Sequence, residues 1–162
     1  MRTAVYPGSF DPFTMGHLDI LTRACRLFDK VYVAVLVNGD KAPCFSDAER
    51  CAMIEASIRH AGLTNAVADK NGGLLAQYAR EKGACAVVRG LRDAADLAYE
   101  SRLDCANRHL SPGFETICLM AKPEMSYLSA GIVREIGSYG GDISGLVPEP
   151  IKNIIAERLI NR

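Results

Sequence analysis

The segment from Tyr6 to His17 combines residue types that can bind a phosphate group. It reads Tyr-Pro-Gly-Ser-Phe-Asp-Pro-Phe-Thr-Met-Gly-His, and its two glycines and two prolines predict a sharp turn whose backbone a phosphate can approach closely. Thr14 is placed to cap a following helix, which puts His17 in the first helical turn. A helix N-terminus attracts anions, and an imidazole beside it can donate a hydrogen bond to a phosphoryl oxygen. The same residues are equally compatible with a rigid turn that ends in a capping histidine.

Positively charged side chains follow two further apolar runs. Lys41 comes after the run 31–37, and Arg89 and Arg92 come after the run 85–88. An arginine suits phosphate because its planar fork can donate to two oxygens at once. The structural alternative is a solvated Lys41, since most lysines are exposed, together with arginines that pair with nearby carboxylates. The candidate carboxylates are Asp93, Asp96 and Glu100.

The apolar pattern that must position these residues alternates between strand and helix periods. Strands are predicted at 3–6, 31–37, 66–68, 85–88 and 116–120. Leu18, Leu21, Cys25 and Phe28 share one helical face, and further helices are predicted at 46–60, 73–82, 93–110 and near 130–138 and 149–160. Five βα units predict an α/β fold: a single doubly wound, Rossmann-like domain over residues 1–162, with a five-stranded parallel sheet and helices on both faces. Ligands in such folds bind beyond the carboxyl ends of the strands.

The string Pro7-Gly8-Ser9-Phe10-Asp11-Pro12-x-Thr14-x-Gly16-His17 closely resembles the opening of bacterial phosphopantetheine adenylyltransferases. These enzymes belong to the nucleotidyltransferase superfamily that carries a T/HxGH motif. Lys41-x-Pro43-x-Phe45-Ser46-x-x-Glu49-Arg50 and Arg89-Gly90-Leu91-Arg92 match the same family. The resemblance extends from Thr3 to about Glu149 and so covers nearly the whole chain. No P-loop motif and no G-x-S-x-G elbow occurs in the sequence.

The resemblance implies a pantetheine-phosphate adenylyltransferase. Such an enzyme reversibly transfers the adenylyl group of ATP to 4′-phosphopantetheine, giving dephospho-coenzyme A and pyrophosphate in coenzyme A biosynthesis. One alternative is a related adenylyl- or cytidylyltransferase that acts on another phosphate acceptor, such as nicotinamide mononucleotide or a polyol phosphate. A second is a non-catalytic nucleotide-binding protein.

The resemblance also implies roles for individual residues. The catalytic residues would be His17, Lys41 and Arg92. The residues that bind 4′-phosphopantetheine would be Ser9, Lys41, Leu75 and Arg89. The residues that contact ATP would be Ser9, Phe10, His17, Gly90, Leu91, Arg92, Glu100, Met125, Ser126, Tyr127, Leu128, Ser129, Ala130 and Gly131. Without the resemblance, Leu75 is simply a core residue and Glu100 a surface carboxylate.

The segment around Ser129 departs from the family pattern. Ala130 and Gly131 stand where the family usually has hydroxyl residues, and this departure is the only support for a non-catalytic protein. Backbone N–H groups at the start of the predicted helix do not depend on those hydroxyls. We therefore expect activity with weaker or altered phosphate contacts.

Composition narrows the partners and the compartment. Lys plus Arg equals Asp plus Glu at 19 each, and no stretch of about 18 apolar residues occurs, so neither nucleic acid nor a membrane is expected. Six scattered cysteines without a C-x-x-C pair predict buried free thiols, no protein metal site and a reducing cytoplasm. The resemblance implies Mg²⁺ that arrives with ATP, coenzyme A as a product-side ligand, and a homohexamer.

Overall fold

The computed structural model describes residues 1–37 and 42–161. The strands are β1 (Thr3–Gly8), β2 (Lys30–Leu36), β3 (Ala66–Asn71), β4 (Ala86–Leu91) and β5 (Thr116–Met120). The helices are α1 (Met15–Leu27), α2 (Asp47–His60), α3 (Leu75–Glu81), α4 (Ala94–Leu110), α5 (Ala130–Ser138) and α6 (Lys152–Ile160). Short 3₁₀ turns cover Pro123–Met125 and Glu149–Ile151.

All five strands run parallel in one sheet, in the order β3-β2-β1-β4-β5, which confirms the predicted fold class. The chain winds outward from β1 through β2 to β3, and then returns to place β4 on the other side of β1. The winding direction therefore reverses between β1 and β4. A crevice opens at such a reversal, beyond the carboxyl ends of the two strands.

The larger core lies on one face of the sheet, where α1 and α2 cover β1 and β2. Val31, Val33 and Val35 of β2 are fully buried there, as the continuous apolar run predicts for a central strand. A smaller cluster on the opposite face joins Val5 and Val87 to apolar residues of α3. Both faces of β1 and β2 are thereby covered, which fixes the strands whose ends flank the crevice.

The predicted starts of α1 and α2 are confirmed by their capping boxes. Ser46 caps α2, and the carboxylate of Glu49 accepts a hydrogen bond of 2.8 Å from the Ser46 amide. Thr14 and His17 form the equivalent pair at the start of α1. These caps satisfy amides that have no partner inside the helix and so fix where each helix begins.

The predicted end of β4 at residue 88 is wrong. The strand continues to Leu91, so Arg89 and Gly90 lie within it and Arg92 follows it directly. Pairing with β5 extends along this stretch, with Arg89 opposite Cys118 and Leu91 opposite Met120. Backbone hydrogen bonds to β5 therefore extend β4 through Arg89 and Gly90, although neither residue type favours a strand.

The prediction that most cysteines are buried is also wrong. Only Cys44 is buried, whereas Cys85, Cys105 and Cys118 are exposed, although all six thiols are free. Two of the exposed cysteines lie in α4 and β5, and Glu100 is the one buried residue of α4. The apolar pattern of α4 and β5 therefore predicted more burial of their cysteines than the structure shows.

Within residues 1–37 and 42–161, no helix has the length and apolarity needed to cross a bilayer.

Close packing between α5 and α6 gives a stability prediction. A Cβ atom on Gly137 would overlap Cδ1 of Leu159 and lie 3.2 Å from its Cβ, so Gly137→Ala forces the helices apart. We expect this change to lower the free energy of unfolding by about 1–3 kcal/mol, measured by urea denaturation. Gly131→Ala is the matched control on the same helix, because its Cβ would meet only Ser129 Oγ at 3.6 Å. Equal stability of the two variants would contradict the close packing.

Candidate active site

A cleft of about 610 Å³ lies beyond the carboxyl ends of β1 and β4, where the winding reverses. Its volume is in the range of small-ligand sites. Many of the predicted site residues line it, namely Ser9, Phe10, His17, Arg89, Gly90, Arg92, Glu100, Met125, Leu128, Ser129 and Ala130. The β1–α1 turn, β4, α4 and the start of α5 are thus brought together at one place, as the sequence predicts for a ligand site.

Other predicted residues do not line this cleft. Leu91 is buried, Leu75 packs against the smaller core cluster, and the hydroxyl of Ser126 donates to the Pro123 carbonyl. Tyr127 is exposed, and Gly131 lies one residue beyond the lining residue Ala130. Lys41 lies outside the described residues. The roles of these residues stay predictions.

The β1–α1 turn is shaped by the ring of Phe10. Phe10 has a φ of 48°, in the left-handed region that a bulky residue rarely adopts, and its ring folds back over Gly8. A Cβ atom on Gly8 would lie 2.8 Å from that ring, so only glycine fits there. The ring also meets Tyr6 and His17 edge to face, with centroid distances of 5.3 Å and 5.1 Å. The turn therefore supports one side of the His17 imidazole.

Thr14 fixes the orientation and the tautomer of His17. The Thr14 amide donates to Nδ1 of His17 at 3.0 Å, and the His17 amide donates back to Thr14 Oγ1 at 3.3 Å. Because Nδ1 accepts a hydrogen bond, the ring proton of the neutral imidazole lies on Nε2. No hydrogen bond to Nε2 occurs within the part of the chain that the structure describes. One imidazole thus caps the helix through Nδ1 and keeps an N–H donor on Nε2, so the two interpretations of His17 are compatible.

The surroundings of His17 keep its imidazole neutral. Burial lowers the pKa of His17 from 6.5 to about 4, and the positive charges of Arg92 and Arg89 act in the same direction. At neutral pH the side chain is then a neutral hydrogen-bond donor and not a cation. A neutral donor stabilises developing negative charge without first requiring a proton.

Arg89 and Arg92 both pair with carboxylates of α4. Arg89 Nε donates to Glu100 at 2.7 Å, its Nη2 contacts the second oxygen of Glu100, and its Nη1 donates to the Pro7 carbonyl at 2.8 Å. Arg92 donates through Nε and Nη2 to Asp96, with both distances at 2.9 Å. The hydrogen bonds from Arg92 lower the pKa of Asp96, so this carboxyl stays ionised. The arginine–carboxylate pairs that the sequence suggested as an alternative to phosphate binding are therefore present. Both arginines nonetheless line the cleft.

The start of α5 presents backbone donors to the same cleft. Ser129 is the N-cap, and its hydroxyl accepts from the Ile132 amide at 3.2 Å. The amides of Ala130 and Gly131 have no acceptor within the described residues, as expected for the first turn of a helix. Replacement of hydroxyl residues by Ala130 and Gly131 leaves these N–H groups in place. The helix start retains its capacity to bind an anion.

Sequence reasoning missed the residues that hold the β1–α1 turn in place. The Asp11 carboxylate accepts hydrogen bonds from the amides of Cys44 at 2.8 Å and Phe45 at 2.9 Å, and Arg134 donates to the Asp11 carbonyl. Arg50 donates to the Ser9 carbonyl at 2.7 Å. Asp11 and Arg50 fall in the strings quoted above without an assigned chemistry, and Arg134 lies on the helix that follows Ser129. Tyr99 was also missed, although it lines the cleft three residues after Asp96 on α4.

The described residues also bear on metal binding. Among residues 1–37 and 42–161, no group of three or more His, Cys, Asp or Glu side chains is arranged to hold a metal ion. The acidic residues that line the cleft, Asp96 and Glu100, already bind arginines. His60 and His109 are exposed on α2 and α4 and are not among the residues that line the cleft.

Comparison with known proteins identifies related enzymes. Residues 5–136 match the model of the cytidylyltransferase-like family. The chain is 46% identical over 157 residues to the phosphopantetheine adenylyltransferase of Shouchella clausii, covering 97% of this chain and 98% of the relative. It is 44% identical over 162 residues to the phosphopantetheine adenylyltransferase of Caldanaerobacter subterraneus, covering 100% of this chain and 98% of the relative.

Solved structures share the fold at low sequence identity. A bifunctional NMN adenylyltransferase/ADP ribose pyrophosphatase from Francisella tularensis superposes with a TM-score of 0.74 at 18% identity, covering 96% of this chain and 48% of that one. The nicotinic acid mononucleotide adenylyltransferase of Plasmodium falciparum superposes with a TM-score of 0.68 at 14% identity, covering 99% and 95%. At these identities the likeness concerns the fold alone.

The lowered pKa of His17 predicts an acid-sensitive stability. The unfolded chain binds a proton on this residue below pH 6.5, whereas the folded chain does so only below about pH 4. The stability that this difference contributes is therefore fully present above pH 6.5 and is lost as the pH falls through 4. Because the ring is partly accessible through the cleft, we expect a loss of about 2 kcal/mol between these pH values, measured as the free energy of unfolding in urea.

His17→Gln is the informative variant for this measurement. Glutamine at this position still accepts the Thr14 amide in a capping box but does not titrate. We expect its unfolding free energy to depend less on pH than that of the wild type by the same amount. His60→Gln, at an exposed histidine, serves as the control and should follow the wild type. Parallel pH profiles for wild type and His17→Gln would disprove the lowered pKa.

Proposed function

The chain belongs to the cytidylyltransferase-like family and, within it, to the phosphopantetheine adenylyltransferases, and on this premise we propose how its cleft carries out their reaction. The reaction moves the adenylyl group of ATP onto the phosphate of 4′-phosphopantetheine, giving dephospho-coenzyme A and pyrophosphate. The observation that carries the proposal for the site is the placement of His17, whose ring is held through Nδ1 by the Thr14 amide. His17 lines a cleft that is bordered by a glycine turn, two arginines and a helix start, and Nε2 is the ring nitrogen left to donate there.

The acceptor phosphate is itself the nucleophile in this reaction. One of its oxygens attacks the α-phosphorus of ATP in line, a new P–O bond forms, and the bond to the β-phosphate oxygen breaks to release pyrophosphate. No serine or cysteine nucleophile is required, because the attacking oxygen is already anionic. The protein then contributes mainly by positioning the two phosphates and by stabilising negative charge on the transferred group.

Each element around the cleft has a part in this proposal. His17 Nε2–H donates to an oxygen of the α-phosphate as charge builds on it. The amides at the start of α5 receive the β- and γ-phosphates, supported by their lack of acceptors within the described part of the chain. Lys41 neutralises charge on the attacking and transferred phosphates, an assignment that rests on the sequence match alone.

The two arginines act as donors whose charge is already balanced. Arg89 holds the acceptor phosphate and Arg92 holds the leaving pyrophosphate, while Glu100 and Asp96 keep both guanidinium groups oriented. Because each arginine has a carboxylate partner, a phosphate must share the guanidinium or displace that partner. Shared binding gives weaker but better-oriented contacts than a free arginine would make.

Mg²⁺ would reach the site with the nucleotide. The acidic residues that line the cleft are paired with arginines, so the ion would be held by phosphate oxygens and water, as is usual for Mg²⁺.

We further propose a homohexamer in the cytoplasm, with coenzyme A as a product-side ligand. Six free thiols support a reducing compartment, and the exposed Leu97, Leu110 and Ile117 on α4 and β5 support burial of that surface between subunits.

Turnover with defined acceptors tests the function, and His17→Ala tests the role of the imidazole. With ATP and Mg²⁺ we expect release of pyrophosphate on addition of 4′-phosphopantetheine, and none on addition of nicotinamide mononucleotide. His17→Ala should lower kcat by about 10²–10³-fold with a small change in the KM for ATP, because the lost donor acts mainly in the transition state. His60→Ala, at an exposed site on α2, should leave both constants unchanged.

Two results would oppose the proposal in different ways. Pyrophosphate release with nicotinamide mononucleotide but not with 4′-phosphopantetheine would assign the cleft to another acceptor. A kcat of His17→Ala close to that of the wild type would keep the reaction and remove the imidazole from it.

A further inference from the structure

Arg50 of α2 is a buried cation whose partners in the described residues are all main-chain carbonyl oxygens. Only 4% of its surface is exposed. Nη1 donates to the Ser9 carbonyl at 2.7 Å, and longer contacts of 3.4 Å join the guanidinium to the carbonyls of Leu36 and Ser46. Burial of a charged group is costly, and these contacts compensate it only with dipoles. The shortest of them goes to the turn that borders the cleft.

The contact to Ser9 determines how one peptide group of that turn is oriented. The Ser9–Phe10 peptide is trans, so its C=O and N–H point in opposite directions. With the Ser9 carbonyl held by Arg50, the Phe10 N–H points away from Arg50 within the plane of the same peptide. That N–H has no acceptor among residues 1–37 and 42–161, and both Ser9 and Phe10 line the cleft. An unpaired amide at a phosphate-binding turn is a donor available to a ligand.

The turn needs an anchor to remain in this orientation. Phe10 has a φ of 48°, and such backbone strain persists only where the surroundings impose it. A rotation of the Ser9–Phe10 peptide would relieve the strain, but it would also point the Ser9 carbonyl into the cleft. A carbonyl oxygen there would repel a phosphate that the N–H attracts. Arg134 of α5 binds the Asp11 carbonyl on the other side of Phe10, so the turn is anchored from two helices.

We propose that Arg50 is a positioning residue for the adenylyl transfer. It holds the Ser9 carbonyl away from the cleft and thereby presents the Phe10 N–H to a phosphoryl oxygen of the nucleotide. The identity of that phosphate rests on the proposed function, whereas the direction of the peptide rests on the contacts of Arg50. A purely structural Arg50 would affect stability alone, but a positioning Arg50 also affects ligand contacts at Phe10 and the rate.

The sequence allows this one amide to be observed selectively. Of the five phenylalanines, only Phe10 follows a serine, because the others follow Pro12, Leu27, Cys44 and Gly113. Protein labelled with ¹³C at serine carbonyls and ¹⁵N at phenylalanine amides therefore gives a single ¹³C–¹⁵N-correlated amide signal, from Ser9–Phe10. In the wild type, we expect saturating Mg-ATP without an acceptor to shift the proton of this signal downfield.

Variants at position 50 then separate positioning from structure. Arg50→Met keeps the buried aliphatic stem and removes the donors, so we expect the ATP-dependent shift to disappear and kcat to fall by about 10²-fold. Arg50→Lys keeps the charge with one donor group and should retain part of the shift, no more than half. Arg59→Met, at an exposed arginine of the same helix that pairs with Glu55 and does not contact the β1–α1 turn in the described part of the chain, should behave as the wild type in both measurements.

The outcomes distinguish this inference from the proposed function. Loss of stability in Arg50→Met with an unchanged shift and kcat would make Arg50 purely structural. If Arg50→Met does not fold, a full wild-type shift in folded Arg50→Lys overturns the inference, and a reduced shift supports it. No shift in the wild type despite normal turnover would refute the inference alone. A shift with ATP in a protein that does not turn over 4′-phosphopantetheine would support the inference and refute the proposed function.

Discussion

The hydrogen bond from the Thr14 amide to Nδ1 of His17 constrains the imidazole in two ways at once. It begins α1 at a defined residue, and it leaves the ring proton on Nε2. Burial and two neighbouring arginines then keep the ring neutral by lowering its pKa. The rest of the site depends on this constraint, because a histidine free to rotate or to take up a proton would not present a fixed neutral donor to the cleft.

The charges of the cleft are more balanced than its expected ligands suggest. Arg89 and Arg92 each bind a carboxylate of α4, so the strongest cations among the described lining residues are compensated. In the proposed function, much of the attraction for phosphate then comes from oriented dipoles, which include His17 Nε2–H, the turn amides and the start of α5. Such dipoles are fixed before the ligand binds and need not reorganise as charge develops. This arrangement agrees with a chain whose acidic and basic residues are equal in number, at 19 each.

The sequence predicted the elements whose signals are local. Apolar periods gave the order of strands and helices, and Thr14-x-x-His17 and Ser46-x-x-Glu49 gave the helix starts. The place of the cleft followed from the parallel topology, because strand ends meet at one edge of the sheet. The extension of β4 through Arg89 was not predictable, since it depends on backbone pairing with β5. Exposure of Cys105 and Cys118 likewise depends on how α4 and β5 are covered.

The side chains that hold the β1–α1 turn could not be predicted from the sequence for a related reason. Asp11 binds backbone amides 33 and 34 residues away, and Arg50 binds a backbone carbonyl 41 residues away. Backbone groups occur at every position, so these contacts leave no residue pattern to recognise. Only the folded chain shows that two helices hold the β1–α1 turn by its carbonyl oxygens.

The central claim is a neutral His17 that carries its proton on Nε2. Long-range ¹H–¹⁵N correlation of the histidine rings measures both the tautomer and the protonation state. From pH 8 to pH 5 we expect one pattern for His17, with Nδ1 unprotonated and Nε2 protonated, while the exposed His60 and His109 serve as internal references in the same spectra. A His17 signal that titrates near pH 6.5, or one with the proton on Nδ1, would contradict the account.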